Sequence, residues 1–395
     1  MKTSDFYLFV ITIVAIVCSS CHDPKGDLSC IDVRKNYPEK DFFLTDIAEI
    51  SYFVPSSDDD GYLFSGTIRA LTENSVVIAD ARSGDILFFN KDGTPKSRFN
   101  RRGNGPGEYL YASQVFYDED TDEVFVSGSG NPRVLVFSSS GEYKREIPLP
   151  QGSRMGIFAS FDDASFLYYD PSTEIRRVEK NYKDLPSSDL ISTFTLISKE
   201  DGTVLDHIEL PMAPIFLGIF LDGNPVSSFK TRLIKCTKGI FLCNPENDTV
   251  FLYGMDRSLT PVLHKIPLAD ATNPMTYLNN CVDIGDYQFM EVYTVRAGEV
   301  YPGRFPVKYY MRDKRSGEIS LQKLFLPEYT GKEFIIGPNS GAGTLIENGV
   351  IFELDLLELR EAFSENRLSG KLKELVETLK EDDNNVYAIV QFNPN

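Results

Sequence analysis

The residues with the most chemical potential cluster between positions 101 and 109. Arg101 and Arg102 precede Gly103-Asn104-Gly105-Pro106-Gly107, and Glu108 and Tyr109 follow. Successive backbone N–H groups in a glycine-rich turn form a concavity that takes anions, and two guanidinium groups would add charge to it. The candidate ligand-binding set is therefore Arg101, Arg102, Gly103, Gly105, Gly107, Glu108 and Tyr109. It is not a nucleotide site. No Gly-Lys-Ser/Thr and no helical pattern follow it, so it is not a P-loop. A dinucleotide fingerprint also needs a strand before the glycines and a helix after them. The plainer reading is a connecting loop with unusual dihedral angles, in which Glu108 and Tyr109 cap and pack a junction.

No other constellation points to a reaction. The three histidines, His22, His207 and His264, form no pair at ligand spacing, which argues against zinc. The Gly-x-Ser-x-Gly elbow of an α/β-hydrolase is absent. Acids gather at Asp58-Asp59-Asp60, Asp118-Glu119-Asp120 and Asp162-Asp163, and read as solvated turns. A glycosidase needs two opposed carboxylates, and spacing along the chain does not say which acids converge. Asp118, Asp120 and Asp122 alternate like a calcium loop, but Glu123 stands where that loop needs glycine. No catalytic residue, metal ligand or cofactor is expected, with Ca2+ the one ion left open.

Charge narrows the partners. Forty Lys and Arg against 58 Asp and Glu give a formal net charge of −18. The longest basic cluster is Lys96, Arg98, Arg101 and Arg102, too little for a nucleic-acid footprint.

The elements that must position the 101–109 loop are short strands. Trp is absent while Phe (28) and Tyr (20) are plentiful, a composition that favours strands and speaks against Trp-Asp propellers. A compact apolar run recurs at Val76–Asp80, Val124–Ser127, Phe166–Asp170, Ile240–Asn244, Phe289–Val292 and Val350–Glu353. Such runs suit strands buried on both faces. A second run follows four of them and ends in a glycine turn: Ile86–Phe89 before Gly93, Val134–Phe137 before Gly141, Phe194–Ile197 before Gly202, and Val307–Met311 before Gly317. Gly93 and Gly141 are 48 residues apart, and propeller blades run to about 40–50 residues. The expected fold is all-β, a six-bladed β-propeller.

Insertions fill the longer intervals. Asp170–Thr193 is charged and reads as a loop, and Pro211–Pro225 is apolar enough to cover one end of the channel. Leu354–Lys380 has helical periodicity broken near Ser369-Gly370 and reads as a helical pair inserted in the last blade. The runs Ile47–Val54 and Val386–Phe392 read as strands sharing one blade, since joining the termini removes an open edge.

The amino end reads as a targeting signal. Lys2 precedes the apolar run Tyr7–Val17, which is too short for a bilayer span of roughly 20 residues. Ser19-Ser20-Cys21 resembles a bacterial lipobox with Cys21 as the lipidated residue. Residues 1–20 are thus expected as signal peptide, 21–40 as lipidated tether and 41–395 as the propeller. Cys30, Cys236, Cys243 and Cys281 remain besides Cys21, in a compartment that permits disulfides. Unequal offsets of Cys236 and Cys243 from the turn at Thr237-Lys238-Gly239 argue against direct pairing.

Ile78-Ala79-Asp80 through Phe89 to Asp92-Gly93 is similar to an NHL/TolB-like propeller repeat. With Arg102–Tyr109, the lipobox and Asp383-Asn384-Asn385 before a terminal strand, the chain resembles the six-bladed propeller lipoproteins of gut-type Gram-negative bacteria over nearly its whole mature length. It departs from them in having Asn385 where such sequences commonly have Pro. The resemblance implies fold and an envelope location, periplasmic or on the outer-membrane surface, and brings no catalytic residues. Asp248-Thr249-Val250 also resembles an O-glycosylation site of exported proteins in gut anaerobes.

Two functions follow. The first is a monomeric, membrane-anchored binding or scaffold module for a glycan, peptide or envelope protein. The alternative is a channel-mouth enzyme of lactonase, lyase or glycosidase type. Propellers host both classes, so fold does not choose.

Overall fold

Each recurring apolar run is the second strand of a separate antiparallel sheet. The computed structural model describes residues 28–392 except 58–61, 65, 81, 129–131, 154–155, 173–190, 212–217, 222–223, 228–231, 246, 267–274, 297–305 and 338–343. The signal segment and Cys21 lie outside the described residues, as does most of the 170–193 loop.

Three strands come first: β1 (Ser29–Asp32), β2 (Glu39–Phe43) and, after the one-turn helix α1 (Leu44–Ile47), β3 (Ala48–Phe53). The first sheet is β4 (Thr67–Leu71), β5 (Val76–Ala79), β6 (Asp85–Phe89) and β7 (Pro95–Asn100). The second is β8 (Gln114–Asp118), β9 (Glu123–Ser127), β10 (Arg133–Phe137) and β11 (Tyr143–Pro148). The third is β12 (Ile157–Ser160), β13 (Ser165–Asp170), β14 (Ile191–Ser198) and β15 (Val204–Pro211). A separate hairpin, β16 (Gly218–Leu221) with β17 (Asn224–Ser227), is the described part of the apolar stretch 211–225.

The fourth sheet is β18 (Arg232–Cys236), β19 (Gly239–Cys243), β20 (Thr249–Gly254) and β21 (Leu259–Ile266), with β1 added outside β21. The fifth is β22 (Met275–Ile284), β23 (Tyr287–Val295), β24 (Val307–Asp313) and β25 (Ile319–Phe325), with β2 and the short β26 (Glu333–Phe334) on β25. The sixth is β27 (Thr344–Ile346), β28 (Gly349–Leu354) and β29 (Val386–Phe392), completed by β3. Helices α2 (Leu356–Ser364) and α3 (Gly370–Thr378) are inserted between β28 and β29.

The second strands are buried because their neighbours cover both faces. Val76, Val77 and Ile78 have no exposed surface, and each such side chain contributes about 1.5–3 kcal/mol by leaving water. Within a sheet the strands follow one another as a meander, and the sheets close into a ring. First strands lie side by side as β4 with β8, β12 with β18, β18 with β22 and β27 with β4. Phe125 and Phe166, with centroids 5.1 Å apart, join the second sheet to the third. Phe289 and Phe392, at 6.0 Å, join the fifth to the sixth. The molecule is an all-β propeller with few helices.

Both chain ends meet in the sixth sheet, where β3 pairs antiparallel with β29 from Ala48↔Phe392 to Phe53↔Tyr387. The helical pair is where its periodicity placed it. Asp355 caps α2 by accepting from the N–H groups of Leu357 and Glu358, both at 3.0 Å, and Leu356, Leu359, Leu372 and Val376 turn inward. Among the described residues no helix is long and apolar enough to cross a membrane.

The reading of 21–40 as tether needs correction. Ser29–Asp32 pairs parallel with Leu263–Ile266, and Glu39–Phe43 pairs parallel with Leu321–Phe325. Ile31 is completely buried in the core. The polar composition that suggested a tether reflects edge strands, one side of which faces water. The propeller therefore begins near residue 29. Cys236 stands opposite Gly239 and Cys243 opposite Arg232, so the two cysteines are not cross-strand partners.

Candidate functional site

The two ends of the ring are unlike. Because strands alternate in direction, links between first and second and between third and fourth strands share one end. There they are hairpins of at most five residues, as at 90–94, 138–142 and 199–203, and these three third-to-fourth turns lean outward against the outer strand of the preceding sheet. The other end carries the links between second and third strands and between sheets. The links at 80–84, 128–132 and 244–248 hold five residues each, but the longest links of the chain are also here: 54–66, 101–113, 171–190, 296–306 and 355–385, the last containing α2 and α3. Large apolar side chains are exposed on this end: Leu63 at 59%, Tyr111 at 48% and Leu357 at 71%. Binding residues concentrate on loops held by a rigid scaffold, so the long-link end is the candidate functional face.

The 101–109 loop lies on this end, between β7 and β8. It folds back on itself: Tyr109 N donates to Arg101 O and Gly103 N donates to Tyr109 O, both at 3.0 Å. Tyr109 is 3% exposed and meets Phe137 edge-on. Its hydroxyl donates to Gly84 O at 2.7 Å and accepts from Arg101 N at 3.1 Å. Burial pushes its pKa up to about 12. Arg101 Nε donates to Gly141 O at 2.9 Å, and Arg102 Nη1 to Arg82 O at 2.6 Å. The Arg102 guanidinium also lies 5.7 Å from the Tyr111 ring centre. Arg101 thus reaches the second sheet and Arg102 the first, a clasp across their junction. Gly107, at φ +70°, lies against the Tyr143 ring.

The glycine concavity already has an occupant. Glu108 Oε2 accepts from Gly105 N at 2.7 Å, and the same carboxylate fills the space where Gly103 would carry a side chain. A cavity of about 200 Å³ opens beside it, lined by Gly103, Asn104, Glu108, Leu110, Gly128 and Arg133. Arg133 is held by Glu146 at 2.8 Å. Of the seven candidates, Gly103, Gly105, Glu108 and Tyr109 line this cavity. Arg101, Arg102 and Gly107 serve the junction. Tyr109→Phe removes two buried hydrogen bonds, and a net loss of about 1–3 kcal/mol is expected. Urea denaturation checks this; an unchanged midpoint would show that the hydroxyl does not fasten the loop.

Asp58-Asp59-Asp60 lies outside the described residues, and the other two acid-rich turns do not reach this face. Asp118 and Asp162 sit in hairpins at the short end, where each carboxylate accepts from backbone N–H groups of its own turn. Among the described residues no three His, Cys, Asp or Glu side chains gather to hold a metal ion. His264 accepts or donates at Thr249 Oγ1 at 2.8 Å, and burial lowers its pKa. The same contact engages the hydroxyl of the Asp248-Thr249-Val250 motif.

One buried acid was missed. Glu291, 1% exposed, accepts from Asn279 Nδ2 at 3.0 Å and from Tyr293 Oη at 2.8 Å. Its signal was present, as the lone charge in the apolar run Phe289–Val292. A second cavity, at the short end, is lined by Lys199, Arg145 and Glu123. Lys199 ties two hairpins of the third sheet together there, donating to Ser160 Oγ and Asp162 O over the Phe166 ring.

Comparisons with known proteins agree with the ring. The model of the family DUF4934, a domain of unknown function, matches residues 28–391. No curated protein matches the chain by sequence. A candidate exported protein of Bacteroides fragilis NCTC 9343 is similar in structure, at 17% identity and TM-score 0.58, covering 93% of this chain and 99% of that one. A member of the DUF4221 family from Bacteroides vulgatus is similar at 12% identity and TM-score 0.50, covering 88% and 99%. At these identities the likeness is one of fold.

Proposed function

We propose, for a chain that belongs to the DUF4934 family over residues 28–391, that it is a lipid-anchored binding or scaffold module of the cell envelope. Its sheets of four or more strands are read as six blades of a propeller. The asymmetry of the ring carries the reading: the longest links and the helical pair lie at one end, where Leu63, Tyr111 and Leu357 are exposed. A scaffold that needed only to be stable would gain nothing from loading one end. The ligand is a glycan, peptide or envelope protein taken on that face by a monomer. Export is in keeping with the description of the Bacteroides fragilis protein, and the anchor rests on Cys21.

The test uses the chain from residue 22 on arrays of polysaccharides and envelope peptides. Binding of one class is expected, lost in a Leu63→Asp, Leu357→Asp double variant and kept in Met255→Asp. Met255 is 51% exposed at the short end. A blank array, or equal loss in both variants, would overturn the reading. The anchor is checked by labelled palmitate, whose incorporation Cys21→Ala should abolish.

A further inference from the structure

Strand β4 heads its sheet and lies beside the first strands of both neighbouring sheets, β8 and β27, so it lines the axis of the ring. Its pairing with β5 slips by one residue. Ile68 stands opposite Ile78 and Ala70 opposite Val77, which leaves Arg69 as the extra residue of a bulge. Ile68 and Leu71 pack into the core shared with the sixth sheet. Ala70 packs into the core shared with the second. A bulge re-aims a side chain, and here both flanking cores are filled by its neighbours.

Arg69 is consequently reachable by water and walled in at once. Its surface is exposed, while enclosure by the protein lowers its pKa with no nearby charge contributing. Among the described residues, no hydrogen bond or ion pair to its guanidinium is formed. Other enclosed arginines differ: Arg145 is bidentate on Glu123, and Arg133 holds Glu146. A cation so placed is less fully hydrated than one in bulk water, and a bound counter-charge would restore what it loses.

We propose that the central channel carries a ligand position at Arg69, which takes the carboxylate of a small monoanionic ligand or of an acidic sugar. The planar guanidinium matches a carboxylate in two parallel hydrogen bonds. One cation with no second positive charge beside it suits a single negative charge better than a phosphate dianion. The position deepens the binding reading above and rests on it: the long-link end admits the ligand and Arg69 holds its acidic group.

The experiment is saturation-transfer NMR on the chain from residue 22 with glucuronate, acetate and N-acetyl-dialanine, with glucose as the neutral control. Transfer to at least one carboxylate and none to glucose is expected. Arg69→Gln should weaken that binding at least tenfold, and Arg69→Lys should keep part of it. The melting temperature of Arg69→Gln should match or exceed the parent's, because an uncompensated cation has been removed. Three results would overturn the proposal: no transfer to any carboxylate, affinity unchanged in Arg69→Gln, or a marked fall in its melting temperature, which would make Arg69 structural. A neutral glycan bound on the array and indifferent to Arg69→Gln would end the channel proposal and leave the binding module standing.

Discussion

Gly93→Ala is expected to lower stability by about 3–5 kcal/mol, combining left-handed backbone strain with overpacking against fixed backbone. Gly93 has φ +87° in the turn between β6 and β7, and an added Cβ would overlap the carbonyl oxygen of Val54, just past β3. The turn is bound to the same segment, since Ser56 N donates to Gly93 O at 2.8 Å. The arrangement recurs. Gly141 presses on Phe99 of β7, and Gly202 on the carbonyl of Pro148 at the end of β11. Each turn glycine thus abuts the outer strand of the preceding sheet. Gly317 is the control: it occupies the equivalent turn of the fifth sheet at φ +74°, and no described atom lies within 4 Å of its added Cβ. Gly317→Ala should cost only the backbone term, about 1–2 kcal/mol. Urea titrations of the two variants measure the difference. Equal losses would mean that contact between sheets does not explain the glycines.

Asn384→Ala is expected to cost about 2–4 kcal/mol, since it strands several buried backbone groups. Asn384 is 2% exposed. Its amide donates to Pro55 O at 3.1 Å and Tyr62 O at 2.9 Å, and accepts from Phe64 N at 3.3 Å. One side chain therefore fixes the link between β3 and β4 to the link that carries the helices. Its neighbours do related work: Asp383 accepts from Ser57 Oγ at 2.6 Å, and Asn385 accepts from Leu356 N at 3.0 Å. Asn100→Ala, which removes amide bonds at an exposed site, should cost under about 1 kcal/mol. Comparable losses for the two would show that Asn384 does not staple the links.

The second strands were legible because their buried faces write long apolar runs, and the third strands because a glycine turn ends them. The helical pair was legible from Leu356, Leu359, Leu372 and Val376 at helical spacing. β1 was not. Ile31 is a single apolar residue in a polar stretch, and a parallel edge strand has no local partner to betray it. The 101–109 loop was recognisable as a concavity, yet composition does not reveal that Glu108 turns back into it. Asp118 and Asp162 looked like solvent-facing acids because an Asx-type turn and a ligand site use the same residue. Arg69 had no signal at all, since a bulge is a property of two strands in register and only one of them contains the arginine.

The order in which the strands find partners runs against the order in which they are made. Ser29 pairs beside Leu263, Glu39 beside Leu321 and Ala48 beside Phe392. The first three strands to leave the ribosome must therefore wait for partners more than 200 positions further along the chain. Sheets one to three are meanders of near neighbours and can form early, whereas ring closure joins residues over 300 positions apart and is correspondingly slow. Until then the leading end stays unpaired and threadable. The same delay leaves the outer edges of the last three sheets open, and that interval is when a newly made copy is most exposed to pairing with another.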